Sequence, residues 1–454
     1  MHRTWVQFLI LFWIGCGSIL FANPKTKQKI KPKTIIISVD GFPYYYWSKQ
    51  EHRQHFPHLT RIFEKYGVFP LETVNPSVTY PAHTSMVTGK DPIEHGIYNN
   101  TLSDPFDRND GGWMWYAEDI QVPTLWTLAK DRGKKTANVF WPVTVGASID
   151  WNLPQYWRKK IPEDDKLLRA LSTKGLHKEA ESKVGTPLND VTKDEIKLKT
   201  ASYLYKTYQP DLLFVYTTDL DSMHHAYGPS SEQALKRLTE IDKALQEFFV
   251  SLGVFSKGGP NLILVSDHGF FSAEEVCAPN VILKQRGYIQ DESSTYKLTF
   301  KSSGGIAILL PGEGTSISEE EVESIAKEIV SVCTGATWLS FRNGEKPENL
   351  SEMEMQRLKR LNTLHPKAIG ILQTKQALFF SGSRKGEVYS KSSKKIHGHG
   401  YWNDMEEMKT IGFVYSANGN KYKMSSVKDI FTIVKDMMQL DRNSIQKQKP
   451  KSKK

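Results

Sequence analysis

Three short apolar runs dominate the hydrophobic pattern of this chain, at residues 34–41, 211–219 and 261–269. Unbroken runs rich in β-branched residues are typical of parallel strands that are buried on both faces. Residues 122–133 and 230–253 instead carry apolar side chains at helical spacing, and each segment ends at a glycine. Strands that alternate with helices predict an α/β fold, with a doubly wound, mostly parallel sheet flanked by helices.

The alternation changes between residues 272 and 395. This segment holds two charged helical stretches and one short apolar strand, at 318–333, 351–364 and 304–314. We interpret it as an inserted cap subdomain. A strand and a helix then return, at 409–419 and 425–440. The predicted core domain therefore has two parts, residues 34–271 and 396–441.

The positive charge of the chain lies at its two ends. The 454 residues carry a formal net charge of +10. Residues 23–33, a basic linker, and residues 442–454, a basic tail, are rich in lysine and contain no acidic residue, so the body between them is slightly negative. The charge pattern therefore gives no reason to expect specific nucleic-acid binding, although the basic ends favour association with an anionic membrane surface.

Residues 1–22 have the pattern of a signal peptide. Arg3 precedes an apolar run that is short for a bilayer span, and small residues then lead to a cleavage site after Ala22. The alternatives are an uncleaved anchor and lipid attachment at Cys16. Each of the three exports the protein to the periplasm, the cell surface or the medium.

Two cysteines remain after removal of a signal peptide, Cys277 and Cys333. In an oxidising compartment they can form a disulfide, but two cysteines in a chain of this length do not make a disulfide scaffold. Two unpaired cysteines packed in the interior are an equally good interpretation, so the sequence leaves both open.

Carboxylates and imidazoles recur just after the predicted strands. They are Asp40, the "DSMHH" of 221–225, the "DHG" of 267–269 and the "HGHGYWN" of 397–403. In a doubly wound sheet the carboxyl ends of the strands form the ligand-binding edge. Carboxylates with imidazoles are a ligand set that suits zinc. There are enough donors for two ions, which together can clamp an in-line displacement at phosphorus.

The segment "NPSVTYPAHTSMVTGKDPIEHGIYNN", residues 75–100, offers a nucleophile. A threonine hydroxyl beside a bound metal loses its proton more readily than a free one, which makes Thr79 the candidate. Pro81 suits the start of a helix, and residues 82–89 are predicted to be a short helix that ends at Gly89. A helix N-terminus offers free N–H groups to a phosphate.

With these motifs in place, the chain resembles the nucleotide pyrophosphatase/phosphodiesterase (type I phosphodiesterase) family of the alkaline phosphatase superfamily. The segments "VDGF", "PSVTYPAHTSMVTGKDPIEHGIYNN", "LDSMHHAYGP", "SDHGF" and "HGHGYWN" occur in family order with family-like spacing. The resemblance covers nearly the whole predicted exported chain. It implies an alkaline-phosphatase-like fold and a site with two zinc ions.

The resemblance also implies roles for individual residues. Thr79 would be the nucleophile, and Asn100 would donate to a phosphate oxygen together with the backbone N–H of Thr79. One zinc would be bound by Asp40, Thr79, Asp267 and His268, and the other by Asp221, His225 and His399. Tyr80 and Tyr216 would stack a nucleobase or line an apolar group. Asn100 fits the family spacing better than Asn99.

The chain departs from the family pattern at several positions. Members usually carry Asn, Pro, Gly and Asp where this chain has Ala82, Leu220, His224 and Trp402. None of these positions is a predicted ligand, so the departures bear on substrate fit rather than on metal binding. His224 and His397 lie beside predicted ligands, and we interpret each as a supporting residue or a solvent-facing one rather than as a ligand.

The predicted activity is zinc-dependent hydrolysis of a phosphodiester or pyrophosphate bond in a small molecule such as a nucleotide, through a phospho-threonine intermediate. The segment around Thr79 has no arginine to hold a terminal phosphate dianion, which favours diesters. The alternatives within the superfamily are a phosphomonoesterase, a phosphonate hydrolase or a lipid head-group phosphodiesterase. A sulfatase would need a Cys or Ser nucleophile followed by Pro and Arg. The segment "TYPAH", residues 79–83, has Thr, Pro and His instead, which argues against a sulfatase. The alternative of another class, an inactive surface binding protein, is disfavoured because all seven predicted ligands are present.

Overall fold

The computed structural model describes residues 32–441 apart from 107, 109–111, 157–162, 190–191, 292–294, 341–350, 362–363 and 375–376. The predicted signal peptide at 1–22, most of the basic linker and the basic tail at 442–454 lie outside the described residues.

A seven-stranded sheet forms the centre of the fold, with the strand order β2-β14-β6-β1-β5-β3-β4. The strands are β1 (Thr34–Val39), β2 (Phe69–Leu71), β3 (Thr136–Val139), β4 (Trp151–Leu153), β5 (Leu212–Thr217), β6 (Asn261–Val265) and β14 (Thr410–Tyr415). The neighbours from β6 to β4 run parallel, whereas β14 is antiparallel to β6 and to β2. The predicted mostly parallel sheet is confirmed.

The middle of this sheet places the ends of three strands side by side. Every residue of β1, β5 and β6 is buried, as expected for strands covered on both faces. Ser38 in β1 pairs in register with Tyr216 in β5 and with Val265 in β6. The residues that follow these three strands therefore meet at one edge of the sheet.

Helices connect the strands of the central sheet. They are α1 (Tyr45–Ser48), α2 (Pro57–Tyr66), α3 (Thr79–Thr88), α4 (Pro92–His95), α5 (Leu125–Asp131), α6 (Asp164–Leu171), α7 (Leu176–Val184), α8 (Asp194–Tyr208), α9 (Asp219–Tyr227), α10 (Glu232–Ser251) and α14 (Asp429–Met438). The predicted helices at 122–133 and 230–253 are α5 and α10, each shorter than predicted. They begin where the hydroxyl groups of Thr124 and Ser231 accept hydrogen bonds from backbone N–H groups of the first turn.

The segment interpreted as an inserted cap supplies most of two smaller sheets. One has the order β10-β11-β9-β8 and the other β12-β7-β13. The elements are β7 (Phe271–Cys277), α11 (Pro279–Gln285), β8 (Leu298–Ser302), β9 (Ile306–Pro311), α12 (Glu319–Val332), β10 (Ala336–Ser340), α13 (Glu352–Arg360), β11 (Gly370–Thr374), β12 (Leu378–Phe380) and β13 (Tyr389–Gly398). These sheets have apolar clusters of their own. The domain boundaries at 272 and 395 stay a prediction.

A disulfide joins Cys277 at the end of β7 to Cys333 directly after α12. Both cysteines are fully buried in one apolar cluster of the inserted segment. Of the two interpretations that the sequence left open, the structure has the paired one.

None of the helices in the described part of the chain combines the length and the apolar character needed to cross a bilayer.

Candidate metal centre and nucleophile

Three acidic segments meet at the carboxyl edge of the central sheet. Asp40 follows β1, Asp267 follows β6, and Asp221 lies in the first turn of α9 after β5. Gly41 permits the close approach of these segments, because its φ of +67° suits glycine and an added Cβ would lie 3.3 Å from the Cα of Asp221. The sequence pattern predicted this edge as the site.

The first donor group consists of Asp40, Asp267 and His268, all buried. The Nε2 of His268 lies 3.4 Å from Asp40 Oδ1 and 3.3 Å from Asp267 Oδ2. The second oxygen of each carboxylate is already engaged: Asp40 Oδ2 accepts from the Tyr216 hydroxyl, and Asp267 Oδ1 accepts from the backbone N–H of Gly41. Each carboxylate therefore has one oxygen left for a ligand.

The second donor group consists of Asp221, His225 and His399. Asp221 and His225 are four residues apart on α9, so their side chains share a helix face, with Oδ1 to Nε2 at 3.4 Å. His399 follows β13, and its Nε2 lies 4.0 Å from the same oxygen. The rings of His268 and His399 stack with centroids 3.6 Å apart, so the two groups adjoin.

Backbone carbonyl groups orient all three imidazoles. The Nδ1 atoms of His225, His268 and His399 lie 2.9, 3.1 and 3.0 Å from the carbonyl oxygens of His397, Gly269 and Ser77. A carbonyl oxygen only accepts, so each Nδ1 must carry the proton. Each Nε2 then directs a lone pair at its donor group, which is the arrangement found in histidines that bind metals.

The electrostatics of the donor groups favour a bound cation. Burial raises the pKa of Asp40 well above its usual range, and the nearby carboxylates of Asp221 and Asp267 raise it further. Burial likewise lowers the pKa of His399 to about 3, which keeps its imidazole neutral. Three buried oxygens, Asp40 Oδ1, Asp221 Oδ1 and Asp267 Oδ2, have no hydrogen-bond partner. A divalent cation would satisfy these oxygens and hold the carboxylates ionised, so the residues present fit a metal centre.

Thr79 begins helix α3 and faces the first donor group. Its Oγ1 lies 3.4 Å from His268 Nε2. The helix starts at Thr79, two residues before the predicted start at Pro81. Pro81 fits inside the first turn because N–H groups there have no partner within the helix, so the missing N–H of a proline costs no hydrogen bond. The helix ends as predicted at Gly89, whose φ is +69°. His83, one turn after Thr79, donates from Nδ1 to the Thr79 carbonyl oxygen at 2.8 Å.

Asn100 contacts the same helix end. Its Oδ1 accepts from the backbone N–H of Tyr80 at 2.8 Å, which leaves the amide NH₂ as a donor beside Thr79. The side chain of Asn99 instead contacts Ser303, with Nδ2 to Oγ at 2.8 Å, and accepts from the backbone N–H of Asn100. Both asparagines line the same cavity beside Thr79, and the choice of Asn100 stays a prediction.

Two cavities have Thr79 in their linings. Cavity A has a volume of about 470 Å³ and is lined by His225 and His399. Cavity B has a volume of about 360 Å³ and is lined by Asp40 and Tyr216. Thr79, Trp113 and Asp221 line both cavities.

The two tyrosines predicted to stack a base are buried. Tyr80 has no exposed surface, and its ring packs edge to face against Trp113 with centroids 5.1 Å apart. Tyr216 is 2% exposed, and its hydroxyl donates to Asp40. Their role in stacking stays a prediction, whereas Trp113, which the sequence reasoning missed, lies partly exposed where the two cavities meet.

The two histidines interpreted as supporting residues lie outside both donor groups. His224 is fully buried, and its Nε2 is 2.8 Å from the Tyr46 hydroxyl. His397 pairs through Nδ1 with the Ser272 hydroxyl at 2.7 Å, while its carbonyl oxygen orients His225. The sequence did not predict the contact of Ser77, whose carbonyl oxygen orients the His399 ring. The one indication in the sequence was that Ser77 lies two residues before Thr79.

The family model of type I phosphodiesterase / nucleotide pyrophosphatase matches residues 34–402. This chain belongs to that family. The matched range begins at β1 and ends three residues after His399, so it contains both donor groups and Thr79.

Curated relatives agree with this assignment. Human ectonucleotide pyrophosphatase/phosphodiesterase family member 1 is 26% identical over 257 residues, 52% of this chain and 23% of that protein. The bovine (Bos taurus) bis(5'-adenosyl)-triphosphatase is 28% identical over 273 residues, 58% of this chain and 52% of that protein. The chain thus matches from a quarter to a half of these relatives' lengths.

A structure of murine ectonucleotide pyrophosphatase/phosphodiesterase 5, an inactive variant in complex with AMP, has a TM-score of 0.62 at 17% identity, covering 90% of this chain and 95% of that one. At this identity the likeness shows the fold alone, and it confirms the predicted fold class.

Trp402 stands where members of the family usually carry Asp, and the structure gives it a packing role. It is fully buried in an apolar cluster, with the Arg357 guanidinium 5.4 Å from its ring. The same guanidinium donates to both carboxylate oxygens of Asp404, at 2.7 and 3.0 Å. A residue of α13 thereby fixes the loop that follows His399.

Proposed function

We propose that this protein is a zinc-dependent hydrolase of phosphodiester or pyrophosphate bonds in nucleotide-type substrates, with Thr79 as the nucleophile. The observation that carries the proposal is the position of the Thr79 hydroxyl, 3.4 Å from His268 Nε2, beside two adjoining donor groups. The names of the relatives, a nucleotide pyrophosphatase/phosphodiesterase and a bis(5'-adenosyl)-triphosphatase, support the same reaction class.

Two zinc ions suit the donor groups. One would be held by Asp40, Thr79, Asp267 and His268, and the other by Asp221, His225 and His399. Mixed carboxylate and imidazole donors are typical zinc ligands. Bound zinc would promote loss of the threonine proton and offset negative charge at phosphorus.

Thr79 would act in two displacements at phosphorus. Its Oγ1 forms a bond to phosphorus while the bond to the leaving oxygen breaks, and that oxygen keeps the electron pair. The threonine proton passes to solvent. Water then displaces the threonine oxygen from phosphorus, and Thr79 regains a proton. The net reaction adds one water molecule across the broken bond.

Asn100 and the first turn of α3 would hold the phosphate during both steps. Asn100 lines cavity A, and the Thr79 N–H lies at the helix start, where backbone donors have no partner within the helix. Donors aimed at an oxygen whose charge increases in the transition state lower the barrier. A helix N-terminus adds a favourable dipole.

The nucleoside would lie in cavity B. This cavity has aromatic walls from Trp113, Phe140 and Tyr156, together with polar side chains including Asn189. Apolar and aromatic walls with a few polar groups are typical of pockets that bind small molecules with planar rings. We infer that Trp113 provides the stacking face, supported from behind by Tyr80.

Export of the protein is part of the proposal. The Cys277–Cys333 disulfide supports an oxidising compartment, as do the signal-peptide pattern of residues 1–22 and the prefix "ecto" in the name of the human relative. Association with a membrane surface through the basic ends stays a prediction.

Hydrolysis of bis-p-nitrophenyl phosphate and of p-nitrophenyl phosphate tests the function. We expect preference for the diester, loss of activity on chelation and recovery with zinc. Thr79→Ala should abolish turnover and retain bound zinc, because six other ligands remain. A zinc-dependent preference for the monoester would move the protein to another branch of the superfamily. Zinc binding without activity on either substrate would leave an enzyme of narrow specificity or a binding protein.

A further inference from the structure

Cavity A lies on the side of the second donor group and is walled partly by the inserted segment. His225 and His399 line it near Thr79, and β8 and β12 supply the far wall. Much of its lining offers hydroxyl and amide groups, from Asn99, Asn280, Thr299, Ser302, Ser303 and Ser381. The rings of Phe300, Phe379 and Phe380 also line the cavity, so its wall combines polar and apolar surface.

Lys301 of β8 is the only lysine or arginine among the described residues that line cavity A. Its ammonium donates to the Thr101 hydroxyl and, at 2.7 Å, to the Leu102 carbonyl oxygen. An ammonium has three N–H donors, so one remains for a ligand. Burial lowers the pKa of Lys301 to about 8, and nearby Asp104 opposes the shift. An anionic partner stabilises a partly dehydrated cation more strongly than it stabilises a solvent-exposed cation.

The two cavities meet at Thr79, Trp113 and Asp221, where the reacting phosphorus would lie. An in-line displacement sends the leaving group away from the nucleophile. If the nucleoside occupies cavity B, cavity A is the other described cavity beside Thr79 that can receive the leaving group.

We propose that cavity A receives a leaving group that carries its own phosphate, and that Lys301 selects such substrates by donating to that phosphate. This inference rests on the proposed function. It assigns to the inserted segment a direct part in substrate choice, and it predicts that pyrophosphate bonds are favoured over aryl esters.

Two substrates that share one nucleotide and differ in the leaving group test the proposal. Thymidine 5'-triphosphate releases pyrophosphate, whereas p-nitrophenyl thymidine 5'-phosphate releases a phenol. For Lys301→Met we expect kcat/KM to fall roughly 10- to 100-fold on the triphosphate, because the loss of one charge-assisted hydrogen bond corresponds to a change of about this size. On the aryl ester it should fall less than about twofold. Lys301→Arg should retain most of the preference for the triphosphate.

Thr101→Val is the matched control, because it removes one contact of Lys301 and keeps the charge. Lys301 also connects β8 to the loop that carries Asn100, so a purely structural role would lower activity on both substrates alike, and Thr101→Val would reproduce that loss. Equal losses on both substrates, or none on either, would overturn the inference while leaving the proposed function intact. Inactive wild-type protein on both substrates would overturn the proposed function and this inference with it.

Discussion

The Nδ1–H of His399 donates to the backbone carbonyl oxygen of Ser77 at 3.0 Å, across 322 residues of sequence. The backbone N–H of Gly400 donates to the same oxygen at 2.9 Å, and the Ser77 hydroxyl donates to the Tyr401 carbonyl oxygen at 2.5 Å. The loop that carries the last predicted ligand is therefore joined to the loop that leads into helix α3 and Thr79. In the proposed site, metal binding at the second donor group and the position of Thr79 would therefore depend on the same few contacts.

His399→Ala should lower zinc occupancy more than His397→Ala. His399 directs Nε2 at the second donor group, whereas the His397 ring pairs with Ser272 outside it. Removing His399 leaves two of the three side chains of that group, so we expect loss of about one zinc per chain, measured by metal analysis after dialysis.

His397→Ala is the matched control, because its backbone carbonyl, which orients His225, is retained. Should His397→Ala lose the metal and His399→Ala keep it, the wrong histidine has been assigned to the second group. Thermal unfolding of both variants would show whether either substitution disturbs the fold instead.

Tyr216→Phe should weaken zinc binding without removing a ligand. The Tyr216 hydroxyl donates to Asp40 Oδ2, which fixes the carboxylate and leaves Oδ1 for the metal. Loss of such a supporting contact typically costs roughly 10- to 100-fold in metal affinity or activity. Competition with a chelator measures the affinity. Tyr401→Phe, which removes a buried hydroxyl bonded to the Leu378 carbonyl oxygen, is the control. An equal fall in both variants would indicate a general loss of packing.

The sequence predicted the parts of the site that strand ends determine. Asp40, Asp221 and Asp267 follow buried apolar runs, and parallel pairing brings such residues to one edge. It did not predict that Trp113 lines both cavities, because no periodic pattern surrounds this residue and its position depends on packing against Tyr80. The pairing of Cys277 with Cys333 also needed the structure, since spacing along the chain does not determine whether β7 and α12 end side by side.

Replacing both Cys277 and Cys333 by alanine should lower the free energy of unfolding by about 2–4 kcal/mol. The disulfide connects β7 to the end of α12 inside an apolar cluster, so its loss frees the chain between them in the unfolded state. Guanidinium unfolding at fixed zinc concentration measures the change. Wild-type protein treated with a phosphine reductant should unfold like the double variant. If reductant and substitution both leave the midpoint unchanged, the bond does not stabilise the protein.

Trp113→Ala should reduce activity on a nucleotide far more than on bis-p-nitrophenyl phosphate. Trp113 lies where cavities A and B meet, and a base stacked on an aromatic ring is stabilised by about 1–3 kcal/mol, so kcat/KM should fall roughly 10-fold or more on thymidine 5'-triphosphate. Trp113→Phe keeps an aromatic face and should retain most of this activity.

The comparison of the two Trp113 variants distinguishes stacking of a nucleobase on Trp113 from structural support of Asn100 through Tyr80. Trp113 also packs against Tyr80, whose backbone N–H bonds to Asn100, so a purely structural loss would reach the phosphate site and lower hydrolysis of both substrates together. Tyr80→Phe, which keeps the ring beneath Trp113, should leave the nucleotide preference intact. A fall in Trp113→Ala that is the same for the nucleotide and the aryl diester would therefore assign Trp113 to the support of Asn100 and place the nucleobase elsewhere.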